Sequence, residues 1–415
     1  MPETIIYHID VNSAFLSWQA CYDISVDKSA TDIRTIPAVV GGSQKERHGI
    51  VLAKSTPAKA FHIQTGEPLV HALKKCPTLT IVPPNFSLYV EKSKEFIDLL
   101  KRHAPIVEQY SIDEAYCDMT GMEKLHGNPV TFAHTLREEI RDELGFTVNI
   151  GVSNNKLLAK MASDFTKPDR VHTLFPNEIE AKLWPLPIED LFYVGKSTSK
   201  RLRALGIKTI GELAHSDLSI IKTHFKKHGE VIWNYANGID TNILKEQPDA
   251  NKGYGNSITT HFDITDRDNA LKIILSLCET IGARIRADGA YIGVVSVSLV
   301  DCEFHHISKQ TTLTSSTNVT EKIYDAAVLL FDQAWSKAPL RLLGVSTSHA
   351  STERYEQYNL FDMEKYEKLS KLNNAIDSIR DRYGEDSVKR ACFINSDTKH
   401  MTGGLQKAKR DHTTR

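Results

Sequence analysis

The sequence predicts a multidomain α+β chain. Three observations carry that reading. At 415 residues the chain is too long for one core, and its length suggests roughly three to four units of ordinary size. Strand-like and helix-like runs follow in the order β-α, β-β, α-β, α through residues 4–168, then alternate again from 254 to 350. Between these blocks, residues 185–240 read as helical, with many small breaks.

Residues 4–11, TIIYHIDV, are apolar and β-branched, which suits a buried strand ending near an aspartate. Ala14 to Tyr22 reads as a helix. PAVVG and GIVLA, within 36–54, are short apolar runs separated by the loop GSQKERH. The pattern turns helical around Pro57–Phe61 and Pro68–Lys75, and another helix is expected near Ser87–His103. IVEQY and AYCDM then flank a polar break at 111–114, the mark of a hairpin. Residues 130–144 read as helical and 147–153 as a strand. The helix after it has Ser153 or Asn154 as N-cap and Leu158, Met161, Ala162 and Phe165 at core spacing, with Pro168 as its stop. This order predicts a sheet with helices on one face. Residues 239–253, polar with few anchors, read as a linker. After Ala350 the chain turns polar and patchy, with one helix expected at 363–383 and disorder from about Asp397.

Composition bounds the function classes. With 41% hydrophobic and 25% charged residues the chain is of soluble globular type. No run of about 18 apolar residues suggests a membrane span. A strand-like N-terminus without a basic leader argues against a secretory signal, so a cytoplasmic protein is expected. The six cysteines show no CxxC pairing or metal-like spacing, as reduced thiols would. A net charge of −1 does not advertise nucleic acid, so DNA binding would need the lysines gathered on one face.

Three carboxylates stand out. Asp10 lies at the end of the first strand, and Asp113 and Glu114 lie at the hairpin break. Neighbouring strand residues point to opposite faces, so an Asp-Glu pair serves one site only where the backbone turns. Taken singly, acidic residues at strand ends are more often merely solvated. As a set, read with the sequence blocks at 9–15, 110–118 and 151–168, they match a two-magnesium site of the kind polymerases need, whose ions about 3.5–4 Å apart activate a hydroxyl and neutralise a triphosphate. Hard cations want carboxylate oxygens, kept few so that substrate phosphates complete the shell.

IDVNSAF at 9–15, YSIDEAYCD at 110–118 and GVSNNKLLAKMASDFTKP at 151–168 resemble, in order and separation, three signature blocks of the Y-family DNA polymerases, of the bacterial UmuC-like and DinB-like type. The resemblance spans roughly residues 4–350 and weakens in the second α+β block. It implies a right-hand polymerase: a palm from 1–30 and 77–168, fingers from 31–76 and a helical thumb from 169–240. A linker at 241–253 would lead to an α+β little finger at 254–350 and a C-terminal tail at 351–415. It also implies an open active site without a proofreading nuclease. The activity implied is error-prone, lesion-bypassing copying of a DNA template from dNTPs in SOS damage tolerance.

Carried over by position, Asp10, Asp113 and Glu114 would be catalytic and would hold two Mg²⁺ ions with the Val11 carbonyl. Phe15 matches the aromatic gate against the ribose 2′-hydroxyl; the alternative is a core phenylalanine on an amphipathic helix. Thr56 and Lys59 align with the triphosphate grip of the fingers, although the family often has Tyr and Arg there. Lysine keeps the charge of arginine without its bidentate fork. Lys167 would also meet phosphate. Asn12 replaces a second Asp found in many members, which resembles the UmuC-like branch.

PIEDLFYVGKSTSKRLRALGIKTIGEL, 187–213, resembles a helix-hairpin-helix. Its Gly turn would expose backbone N–H groups to a DNA phosphate without reading sequence, with Lys196, Lys200, Arg201 and Arg203 adding charge. Gln357-Tyr358-Asn359-Leu360-Phe361 resembles the bacterial sliding-clamp-binding peptide, with Gln357, Leu360 and Phe361 as its contacts. Two other readings stay open: a different two-metal phosphotransferase, such as a nuclease or cyclase, and a catalytically dead DNA-binding scaffold.

Overall fold

The computed structural model describes residues 4–42, 49–246, 249–353, 363–396 and 398–402. The clamp-like residues Gln357, Leu360 and Phe361 lie outside the described residues. The chain forms two compact units, 1–41 with 51–248 and 42–50 with 249–415.

The first unit opens with β1 (Ile6–Val11) and α1 (Ala14–Val26). A small sheet follows, made by β2 (Ala38–Gly41), β3 (Val51–Lys54) and β4 (Thr80–Val82) in the order β3-β2-β4. Between β3 and β4 stand α2 (Thr56–Lys59) and α3 (Leu69–Lys75). Next come α4 (Phe86–Leu100), β5 (Ile106–Gln109), β6 (Glu114–Asp118), α5 (Glu123–His126), α6 (Pro129–Leu144), β7 (Val148–Ser153), α7 (Lys156–Asp164) and β8 (Val171–Thr173). The five-stranded sheet has the order β5-β6-β1-β7-β8. Alternation along β1 sends Tyr7, Ile9 and Val11 into a core shared with α1, α4 and α6.

The expectation of helices on one face fails at α7. Ile6 packs with Tyr116 and Ala159 on the opposite face. Gly151 of β7 shows how closely α7 presses there, since a Cβ would stand 1.9 Å from the Ala159 carbonyl oxygen. β1 and β7 are accordingly buried along their whole length, as strands covered on both sides are. The cap of α7 also differs from expectation. Asn155 is the N-cap, its side chain accepting from the Leu158 N–H. Ser153 instead ends β7, donating to the Leu174 carbonyl.

Beyond β8 a helical layer contains α8 (Lys196–Ala204), α9 (Ile210–Ala214) and α10 (Leu218–Ala236), preceded by short 3-10 and π turns. Their core, including Leu202, Ile210, Ile221 and Ile232, also takes in Leu157, Leu158 and Met161 from α7. The start of the expected linker is anchored more firmly than its polarity suggested. Asp240 accepts from the Leu157 N–H, and the Lys245 N–H donates to Glu108. Leu244 packs on Ile6, Tyr116 and Ala159.

The second unit carries β9 (Gly255–Ile264), α11 (Arg267–Ala287), β10 (Ile292–Asp301), β11 (His306–Thr317), α12 (Thr320–Ala334) and β12 (Leu340–Ser348). The antiparallel sheet runs β11-β10-β12-β9, and Val295, Val297 and Leu343 pack with Ile274, Leu277 and Phe331 of the two helices. The expected helix appears as α13 (Met363–Tyr383). The described part of the polar tail is not a loose appendage. Glu279 of α11, 4% exposed, takes Arg380 Nη1 at 2.8 Å and Arg390 Nε at 2.7 Å. Arg286 Nε is 2.6 Å from Asp377. The disorder expected from about Asp397 also fails in its first residues, because Ser276 donates to the Lys399 carbonyl and Met401 and Thr402 are buried. Part of the polarity that looked like solvated chain goes into these ion pairs, of which Arg380–Glu279 is buried on both sides.

Candidate active site

Antiparallel pairing of β1 with β6 sets Asp10 opposite Glu114 and His8 opposite Tyr116. All four side chains therefore emerge on the α7 face of the sheet. Asp113 sits in the turn before β6. Ser111 Oγ donates to its Oδ1 at 2.6 Å, and its carbonyl accepts from the Val11 N–H at 3.0 Å. The turn thus lets consecutive Asp113 and Glu114 both approach the end of β1. Asp10, Val11, Ala14, Phe15 and Asp113 line one side of a cleft of about 330 Å³. Lys54, Lys59 and Thr65, from the small-sheet region, line another part.

Two lysines balance the carboxylates. Lys160 Nζ lies 2.8 Å from Glu114 Oε1, 3.6 Å from Asp10 Oδ2 and 3.2 Å from Asp164 Oδ2. Lys167 Nζ lies 2.9 Å from both Asp10 Oδ2 and Asp164 Oδ1. Burial pushes the Asp10 carboxyl up to about 6, against the downward pull of Lys167 and Lys160. Burial would raise Glu114 as well, but His8 and Lys160 together hold it well below the usual carboxylate range. His8 is completely buried, which pushes its imidazole down to about 4.

Phe15 belongs both to the core and to the cleft. Its ring stacks on Tyr89 at 4.6 Å, meets Phe86 edge-on at 6.1 Å and still lines the opening. Thr56 opens the four-residue α2, exposed and away from the cleft lining, whereas Lys59 at its other end reaches that lining. Asn12 is buried, makes a hydrogen bond with the Thr147 hydroxyl and does not line the cleft. Sequence reasoning missed Lys54, Lys160 and His8. A lysine and a histidine at positions otherwise patterned as buried were the available signal.

Asp10, Asp113, Glu114 and the Val11 carbonyl offer only oxygen donors, the chemistry that Mg²⁺ prefers. Among the described residues, no three His, Cys, Asp or Glu side chains stand close enough to hold an ion by themselves. The donor set fits a cation whose remaining ligands come from a substrate.

In the helical layer, Lys196 and Lys200 are exposed on α8, whose N-cap Gly195 leaves its first N–H groups without a side-chain cap. Arg201 is less available than expected. Its guanidinium donates to the His224 carbonyl and lies over the Phe225 ring at 4.5 Å, tying α8 to α10. Arg203 is paired with Glu189.

Sheet, cleft and glycine-led helix together are those of a Y-family polymerase. The comparisons agree. The model of the impB/mucB/samB family matches residues 9–164, the model of its C-terminal domain 251–360 and that of its HHH motif 176–207. The chain is 44% identical to DNA polymerase IV of Clostridium acetobutylicum over 399 residues, covering 95% of this chain and 99% of the relative. It is 37% identical to DNA polymerase IV of Alkaliphilus oremlandii, covering 94% and 99%. A solved Y-family DNA polymerase chimera superposes with a TM-score of 0.69 at 22% identity, over 83% of this chain and 98% of that one. The chain belongs to the impB/mucB/samB family of Y-family DNA polymerases. Among the described residues no helix is long and apolar enough to cross a membrane.

Proposed function

We propose that this protein is a template-directed DNA polymerase of the translesion type, adding dNTPs to a primer 3′ hydroxyl. The observation that carries the reading is the meeting of Asp10, Asp113 and Phe15 with Lys54 and Lys59 in one cleft. Carboxylates at one part and cations at another match a nucleotide whose reacting phosphate lies between them. Asp10, Asp113, Glu114 and the Val11 carbonyl would hold two Mg²⁺ ions, which when bound lower the cost of deprotonating the primer hydroxyl and offset charge on the triphosphate. Lys59, Lys54 and Lys167 attract the triphosphate, and Thr56 stands at the head of the helix that carries Lys59. Phe15 fills the space that a 2′-hydroxyl would need.

The domain roles follow the same reading: palm and fingers around the cleft, thumb over 169–240, little finger over 254–350. Lys196, Lys200 and Arg201 would meet the DNA backbone without reading sequence. Gln357, Leu360 and Phe361 would bind the sliding clamp. The setting would be damage tolerance, including the SOS response, in the cytoplasm.

Primer extension on a primed template with Mg²⁺ and all four dNTPs tests this against the nuclease, cyclase and inactive-scaffold readings at once. Asp113→Asn should abolish extension and leave primer-template affinity nearly unchanged, because it removes a cation ligand and not a DNA contact. Normal extension by that variant would sink the site assignment.

A further inference from the structure

His8 lies two residues before Asp10 on the same face of β1, covered by α7. The ring is held on two sides: Nδ1 is 2.8 Å from the Ser163 hydroxyl, and the Tyr116 ring meets it edge-on at 4.7 Å. Its remaining polar atom, Nε2, is buried without a hydrogen-bond partner. That atom is aimed at Glu114, whose Oε2 stands 3.8 Å away. The other oxygen, Oε1, is 2.8 Å from Lys160.

The partners decide the tautomer. An ionised carboxylate only accepts, so Nε2 serves Glu114 only when it carries the proton. Nδ1 is then the acceptor, and the Ser163 hydroxyl, whose hydrogen rotates to suit, donates to it. That hydroxyl is also within donating distance of the Lys160 carbonyl, at 2.8 Å; a carbonyl inside α7 has its helix N–H as well, so it stays satisfied when the hydroxyl hydrogen turns to Nδ1. The opposite tautomer sets a bare nitrogen lone pair against a carboxylate oxygen in a buried site, two acceptors face to face. At 3.8 Å the Nε2–Glu114 contact is longer than a hydrogen bond. The terminal torsion of a glutamate is soft, so a small turn of the carboxyl closes it.

We propose that His8 is a positioning residue for Glu114: oriented by Ser163, its Nε2–H holds Oε2 while Lys160 holds Oε1, and so fixes the orientation in which the carboxylate meets a cation. The inference rests on the polymerase reading. It is a polar contact behind a metal ligand, of the kind whose loss typically weakens metal affinity ten- to a hundred-fold.

The test separates the two ring nitrogens. The amide nitrogen of Asn reaches the position of Nδ1, and that of Gln the position of Nε2. Mn²⁺ affinity is measured by electron paramagnetic resonance on the full chain with dideoxy-terminated primer-template and dNTP, where no chemistry occurs. Melting temperature and primer-template affinity are followed alongside. His8→Asn should weaken Mn²⁺ binding about ten-fold or more, with DNA affinity unchanged, and His8→Gln should restore most of it. Wild-type affinity in His8→Asn overturns the proposal. Equal loss in both variants also overturns it, because a mere filler of the core would be damaged by both. If His8→Asn does not fold, Ser163→Ala decides: the ring stays but loses its orienting partner. Weakened Mn²⁺ binding at a near wild-type melting temperature supports the proposal, and unchanged binding overturns it. A wild type that extends no primer would overturn the polymerase reading itself, a failure distinguishable from that of His8 alone in an active enzyme.

Discussion

Phe15→Ala separates the two roles that the structure gives one ring. On the core side, truncation loses the stack on Tyr89 and the edge contact with Phe86. Each such aromatic pair contributes about 0.5–1.5 kcal/mol beyond area burial. Because Phe15 is only partly buried and lines the cleft, the total should fall below the ~3–5 kcal/mol of a fully buried Phe→Ala change. On the cleft side, removing bulk where a hydroxyl would sit relaxes a size misfit of about 1–3 kcal/mol, or roughly ten-fold or more in sugar discrimination. The assay is the ratio of kcat/KM for dCTP and CTP opposite a template guanine, with melting temperature measured on the same preparation. The gate reading requires the ratio to fall roughly ten-fold or more, with only a modest loss of stability. A lower melting temperature with an unchanged ratio would refute it and return Phe15 to the core. Tyr89→Leu probes the same logic from behind, since Tyr89 is fully buried and supports the ring without lining the cleft. It should loosen discrimination by a smaller factor.

Binding of primer-template should be independent of sequence and fall steeply with salt. Changing Lys196 and Lys200 together to Ala should flatten the log–log slope by about 0.9 for each phosphate no longer neutralised, without moving the melting temperature. Adding Arg201→Ala should lower the melting temperature as well, because that guanidinium ties α8 to α10; salt-insensitive binding would remove the thumb assignment. Leu360→Ala with Phe361→Ala should leave unassisted extension intact and abolish its stimulation by the sliding clamp, each side chain contributing roughly 1.5–3 kcal/mol if buried in a clamp groove. Surviving stimulation with reduced stability would show instead that the pair packs against the protein itself.

What was legible in the sequence was mostly what periodicity and spacing encode. The strand at 4–11, the hairpin around 111–114 and the helix at 363–383 each have a local pattern, and each appears as β1, the β5–β6 turn and α13. The errors occur where tertiary pairing overrides local pattern. The expectation of a one-sided sheet ignored Gly151, whose missing side chain admits α7 to the second face. Polar residues beyond 363 read as solvated because nothing local says that Arg380 and Arg390 converge on Glu279, about a hundred residues away in sequence. Lys160 and His8 stood out only as polar residues at positions patterned as buried, and what they pair with was hidden for the same reason. Their partners come from β6 and α7, and no window of sequence holds both.

The lysines also decide which carboxylate is the cleanest probe of the site. Side-chain exposure of Lys160 is 9%, and its ammonium is balanced by Asp10, Glu114 and Asp164 together. Removing the charge of Glu114 takes away its 2.8 Å partner, and removing that of Asp10 takes away the 2.9 Å partner of Lys167. Stripping a buried charge of its counter-ion costs up to about 3–5 kcal/mol. Some of this would be recovered here, because Asp164 remains beside both lysines. Asp10→Asn and Glu114→Gln are therefore expected to lose activity and stability together, and their inactivity alone would not distinguish lost chemistry from a disturbed fold. Asp113 differs. Its carboxylate is held by the neighbouring Ser111 hydroxyl, and among the described residues it forms no ion pair. Asparagine keeps the oxygen that accepts from Ser111 while losing the charge that a cation needs. Loss of extension at an unchanged melting temperature in Asp113→Asn, beside a lowered one in Glu114→Gln, is the pattern this arrangement of charges requires.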